Sequence, residues 1–109
     1  MVSVILFSHN SCLVGFQLKG HANCGAYGED LVCASISSVA QTAILGITDV
    51  LKLDADITLQ NGNCVCILKE TTSDSDRERV DIVIRTMLCG LQSIASSNPK
   101  ALKFLHREV

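Results

Sequence analysis

His21 precedes Cys33 along one polar, glycine-bearing stretch, and together the two can support nucleophilic acyl chemistry. A thiolate attacks a carbonyl carbon, while a nearby imidazole takes the thiol proton and returns it to the leaving amine. The stretch 20–30 holds Gly20, Gly25 and Gly28 and has no periodicity that would bury it. It reads as a long loop able to fold back and carry His21 to the sulfur. A helical pattern begins at Asp30, which puts Cys33 in the first helical turn. Unpaired N–H groups and the positive end of the helix dipole favour a thiolate there, and the same N–H groups suit an oxyanion. The segment from Ala22 to Glu29 has almost no apolar side chain to bury. It is expected to be mobile without substrate and to close over it; the mobile loop takes in Gly20, Ala22, Gly25 and Gly28, with Gly25 and Gly28 absorbing the backbone change.

The neighbouring residues admit more than one reading. Cys33 lies between Val32 and Ala34, and free cysteine is among the most buried residue types, so spacing alone favours a core thiol. Asp30 suits a helix cap, or a group that orients His21. Ser37 lies one turn after Cys33 and either lines a cleft or faces solvent. A metal site built from His21, Cys24 and Cys33, with His9 or water as a further ligand, lacks the tight paired spacings of structural zinc. No metal or cofactor is expected.

The elements that must position these groups are legible from periodicity. Val2–Phe7 reads as a buried strand, Ser8–Ser11 as a turn, and Leu13–Lys19 as an alternating strand. From Asp30 to about Leu53 a broad apolar face marks a largely buried helix. Asn61-Gly62 between strand-like runs 56–60 and 63–70 predicts a hairpin with a type I′ turn. Ser73 or Asp74 caps a second helix carrying the stripe Val80, Val83, Ile84, Met87, Leu88, Leu91, Ile94 and Ala95, which Asn98-Pro99 ends. Lys100–Val109 is left as a short tail. The order β-β-α-β-β-α predicts an α+β two-layer sandwich: a four-stranded, largely antiparallel sheet with two helices, in one domain over 1–109. Cys64 and Cys66 share a face with Leu68 and read as core, Cys89 reads as packed beside Leu88, and Cys24 as incidental.

The 109-residue chain is 48% hydrophobic but only 4% aromatic, with no Trp, so its core is aliphatic. A net charge of −2 and few rings give nucleic-acid binding neither of its usual supports. Six cysteines in so short a chain suggest a disulfide scaffold only in a secretory setting. Met1 is followed by Val-Ser-Val-Ile-Leu-Phe, with no basic segment before it and no small-residue cleavage site after it. No continuous apolar run approaches the length of a membrane span. These features predict a soluble cytoplasmic protein whose cysteines are mostly thiols, with no membrane partner.

Gly20-His21-Ala22, Gly25, Gly28, Asp30, Val32-Cys33-Ala34 and Ser37 together resemble the motif of the ribosomal-processing cysteine protease family Prp. That motif is Gly-His-Ala, a glycine-containing loop, then Gly-x-Asp-x-Val-Cys-Ala-x-x-Ser, and Cys24 departs from it. The resemblance extends over the whole chain in length and element order. It implies that Cys33 is the nucleophile and His21 the general base and acid of a thiol endopeptidase with a two-layer fold that forms homodimers. It implies as substrate the N-terminal extension of large-subunit ribosomal protein 27, an apolar segment ending in Phe-Phe or similar and cut before a small residue. The alternative is a non-catalytic, ribosome-associated adaptor that binds an extended peptide in the same groove.

Overall fold

The computed structural model describes residues 1–21 and 27–109, and of residues 27–30 the backbone only. The chain forms β1 (Val2–His9), β2 (Cys12–Gly20), α1 (Tyr27–Leu45), a π-helical segment (Gly46–Val50), β3 (Ala55–Gln60), β4 (Asn63–Leu68), α2 (Asp74–Ser97) and β5 (Leu102–Glu108). The five strands make one mixed sheet in the order β3-β4-β2-β1-β5. The pairs β1/β2, β2/β4 and β3/β4 are antiparallel, and β5 runs parallel to β1. The expected α+β sandwich is present with one strand more than the expected four.

That fifth strand is the segment read as a tail. Its Leu102 is buried, but Lys103, Leu105, His106, Arg107 and Glu108 are exposed. The alternation is therefore too weak to signal a strand, and the ladder to β1 defines it, from Val2–Leu102 to Ser8–Glu108. The buried Ser8 hydroxyl donates to the Glu108 carboxylate at 2.8 Å.

The type I′ geometry expected at Asn61-Gly62 is found instead at the first turn, for which no type was expected. Asn10 and Ser11 both take positive φ (49° and 70°), the pattern of a type I′ turn between β1 and β2. At Asn61-Gly62 only Gly62 does, at φ +76°, which has the φ signs of a type II turn rather than type I′.

Among the described residues the buried core is largely aliphatic, with Phe16 its fully buried ring. Val4, Leu6, Phe16 and Leu18 from the sheet meet Ile36, Ala40, Ile44 and Ile47 from the first helical stretch and Val80, Ile84, Met87 and Leu91 from α2. Ser73 caps α2, its hydroxyl accepting the Asp76 N–H at 3.1 Å, and Asn98 closes the other end. Cys66 and Leu68 are buried as expected. Cys89 is exposed rather than packed, because its position turns away from the Val80-Ile84-Met87-Leu91 stripe.

Mean hydropathy, unlike an unbroken apolar run, picks out one membrane-length helix among the described residues. Leu31–Val50 is long and apolar enough to cross a membrane by length and composition, with a mean hydropathy of 1.6. Its Ser, Thr and Gln residues interrupt the apolar run without lowering the mean far. The same stretch supplies Ile36, Ala40, Ala43, Ile44 and Ile47 to the core.

Candidate active site

His21 follows directly on the last residue of β2, and the sheet register decides what stands beside it. Lys19 of β2 pairs with Asn63, the first residue of β4, so β2 ends against the β3–β4 turn. The Gly20 N–H donates to the Gly62 carbonyl at 2.9 Å, tying the residue before His21 to that turn. The Met1 amino group donates to the His21 carbonyl. The backbone on both sides of the His21 Cα is thereby held, while its side chain is exposed.

Cys33 is half-buried on α1. Residues 33, 36, 37, 40 and 41 follow the spacing of one helical face, and Cys33, Ile36, Ser37, Ala40 and Gln41 form one wall of a cleft. Gly20 and His21, with Gln60, Asn61, Gly62 and Asn63 of the hairpin, form the other. Val2, Leu18, Leu59 and Cys64 complete the lining of this cavity of about 410 Å³. His21, Cys33, Ser37 and Gly20 thus border one space. Gln41 Nε2 donates to Ser37 Oγ at 2.8 Å, and Gln17 Nε2 donates to Asn63 Oδ1 at 2.9 Å, so the polar rim of the cleft is ordered. Burial raises the Cys64 thiol, which stays neutral on the cleft floor.

Several expectations change. Because α1 starts at Tyr27 rather than Asp30, Cys33 lies in the second turn and not the first. The field of a helix end falls off within its first turn, so the unpaired N–H groups of α1 precede the sulfur by about a turn. The expected thiolate stabilisation and oxyanion site both rested on a first-turn cysteine. Asp30 is inside the helix and is not its cap, and Gly28 is helical rather than part of a loop. Ala22, Cys24 and Gly25, which carry the mobile-loop reading and the reading of Cys24 as incidental, lie outside the described residues. Cys33 is disulfide-bonded, whereas Cys12, Cys64, Cys66 and Cys89 are free thiols. The sulfur is therefore capped in this state. Sequence reasoning did not single out the hairpin turn or Gln41 for the site. Asn61-Gly62 gave a clear signal for a turn, but nothing local says which strand end that turn will meet.

The mixed sheet backed by two helices thus sets a cysteine and a histidine on one cleft. The family described as Cysteine protease Prp matches residues 1–103, and the chain belongs to that family. It is 27% identical over 89 residues to the ribosomal processing cysteine protease Prp of Bacillus subtilis, covering 80% of each chain. To the protein of the same name from Staphylococcus aureus it is 29% identical over 77 residues, 71% of each chain. Among solved structures, a Streptococcus mutans protein superposes with a TM-score of 0.84 at 22% identity, over 100% of this chain and 96% of the other. The S. aureus ribosomal processing protease Prp with a covalently linked product peptide superposes with a TM-score of 0.81 at 24% identity, over 98% and 100% of the two chains. The same S. aureus protease with a substrate peptide gives a TM-score of 0.80 at 22% identity, over 98% and 100%.

Proposed function

We propose that this protein is an endopeptidase that trims the N-terminal extension of large-subunit ribosomal protein 27, with Cys33 as nucleophile and His21 as general base and acid. The observation that carries this reading is that His21 and Cys33 line the same cleft in a chain of the Prp family. Relatives called ribosomal processing proteases, and a neighbour solved with a substrate peptide, support a peptide substrate. Leu18, Ile36 and Leu59 offer apolar surface in the cleft, while Ser37, Gln41, Gln60 and Asn61 offer partners for a peptide backbone.

The cycle starts with reduction of the Cys33 disulfide by a thiol. His21 then takes the Cys33 proton, and the sulfur attacks the scissile carbonyl carbon, moving the π pair onto oxygen. Collapse of that adduct breaks the C–N bond, and the amine leaves with the proton held by His21. Water, deprotonated by His21, attacks the thioester, releasing the carboxylate product and regenerating the thiol. A reducing cytosol suits this chemistry, and we place the protein there.

We also place it as a homodimer. Leu31 (56% exposed), Val50 (77%) and Ile82 (66%) leave apolar surface on the outer side of the helical layer, beside an apolar groove lined by Val39, Ala43, Ile82 and Met87. Light scattering should return twice the mass of one chain, and a monomer at micromolar concentration would overturn this placement.

Mass spectrometry of a ribosomal precursor peptide incubated with reduced protein tests the main reading. One internal cut is expected, and Cys33→Ala or His21→Ala should lower its rate on the order of a thousandfold or more. Peptide bound but left intact by the reduced native protein would identify an adaptor instead.

A further inference from the structure

Among the described glycines of the cleft, Gly62 is the one whose missing side chain leaves space that another side chain uses. A Cβ added there would lie 2.7 Å from His21 Nε2, 3.2 Å from Cε1 and 3.4 Å from Cδ2. The imidazole therefore rests against the Gly62 backbone, in the space that any other residue would fill. The Gly62 φ of +76° independently favours glycine. The Gly62 carbonyl accepts the Gly20 N–H at 2.9 Å, so this one residue contacts both the His21 ring and the backbone leading into His21.

The hairpin makes this a rigid support. Gly62 sits between Gln60, which ends β3, and Asn63, which starts β4. The β4 ladder to β2 continues through Asn63–Lys19 and Cys64–Leu18. The turn is thus fixed to the strand whose next residue is the histidine. A ring with an exposed face and no such backstop would sample several χ1 and χ2 wells.

We propose that Gly62 is a positioning residue for the peptidase reaction, with the β3–β4 turn acting as the seat that sets the orientation of the His21 imidazole toward the cleft. The assignment rests on the reading of His21 as the base, and it identifies the hairpin as part of the reaction machinery. It also gives the Asn-Gly pair two functions, since the glycine that permits the turn is also the surface on which the base lies.

The test uses Gly62→Ala and Gly62→Asn in the full reduced protein, beside His21→Ala. Asn tolerates positive φ better than Ala, so it separates the added Cβ from backbone strain. Both variants should lose kcat by about 10- to 100-fold, the scale of a displacement near 1 Å at a reacting group, with KM within about twofold. In both, the His21 ring cross-peak in a 1H–13C NMR spectrum, assigned by its loss in His21→Ala, should move while the core methyl resonances stay in place. A structural role would change thermal stability and leave the kcat of the folded fraction and the ring signal unchanged. If Gly62→Asn keeps kcat within twofold, or if the His21 signal stays in place, the seat is refuted. If His21→Ala itself cleaves at the normal rate, the reading of His21 as the base fails instead.

Discussion

Asp81 offers a test in which stability and activity should separate. It lies on α2 and joins that helix to the start of β2. Its Oδ1 accepts the backbone N–H of Leu13 at 2.7 Å, and both carboxylate oxygens lie 2.9 Å from Arg85 Nε. Arg85 Nη2 in turn donates to the Ser11 carbonyl at 3.3 Å, so the pair clamps the Asn10-Ser11 turn to the helix. The bond is part-buried, so Asp81→Ala takes away the acceptor of an N–H with restricted access to water. Losing a charged acceptor costs about 1.5–3 kcal/mol. The half-exposed pair with Arg85 adds only about 0.3–0.5 kcal/mol. The Ala variant should therefore lose about 2–3 kcal/mol. Asp81→Asn keeps an oxygen for the Leu13 N–H and gives up the charge, so about 1 kcal/mol is expected. Urea denaturation followed by circular dichroism reads both as shifts in midpoint at unchanged slope. Eight residues of extended β2 separate Leu13 from His21, roughly 26 Å at about 3.3 Å per residue. Peptidase rates of both variants well below their melting points should therefore match the native protein. Equal losses for Ala and Asn would refute the assignment to the Leu13 hydrogen bond, and a selective loss of kcat would refute the separation from the site.

Two further outcomes follow from the cysteines. Alkylation without reductant should label exposed Cys89 first and leave the disulfide-bonded Cys33 unlabelled, while prior reduction should add Cys33 to the early products. Peptide mapping checks this, and early labelling of Cys33 without reductant would contradict the oxidised state. Burial first, and then the nearby Cys64, push the Cys66 thiol from 9.0 up to about 12. Above pH 9 the unfolded chain gives up this proton while the folded one keeps it. The contribution of Cys66 is therefore intact below pH 9 and is lost toward pH 12, at no more than about 1.4 kcal/mol per pH unit. Cys66→Ala should be less stable at pH 7 but should lose stability less steeply between pH 9 and 10.5. Parallel curves for the two proteins would show that Cys66 does not carry that slope.

The sequence by itself determined what short-range chemistry controls. The β1–β2 hairpin, the Asn61-Gly62 turn, the Ser73 cap and the apolar stripe of α2 are each set by residues within a few positions of one another, where periodicity and capping preferences act directly. The pairing of His21 with Cys33 as candidate chemistry was also legible, through residue types and the motif around them. Tertiary structure decided the rest. β5 exists because β1 has an open edge to pair with, and its own exposed, charged residues do not announce a strand. The start of α1 at Tyr27 moved Cys33 into the second turn, and nothing in the local pattern marked that boundary. Which turns take type I′ or type II geometry followed from the sheet they close, since Asn and Ser reached positive φ at positions 10 and 11 while Asn61 did not. The contact between Gly62 and His21 joins residues far apart in the chain. It was hidden because it depends on the antiparallel register of β4 on β2, a choice made by the packing of whole strands rather than by either residue.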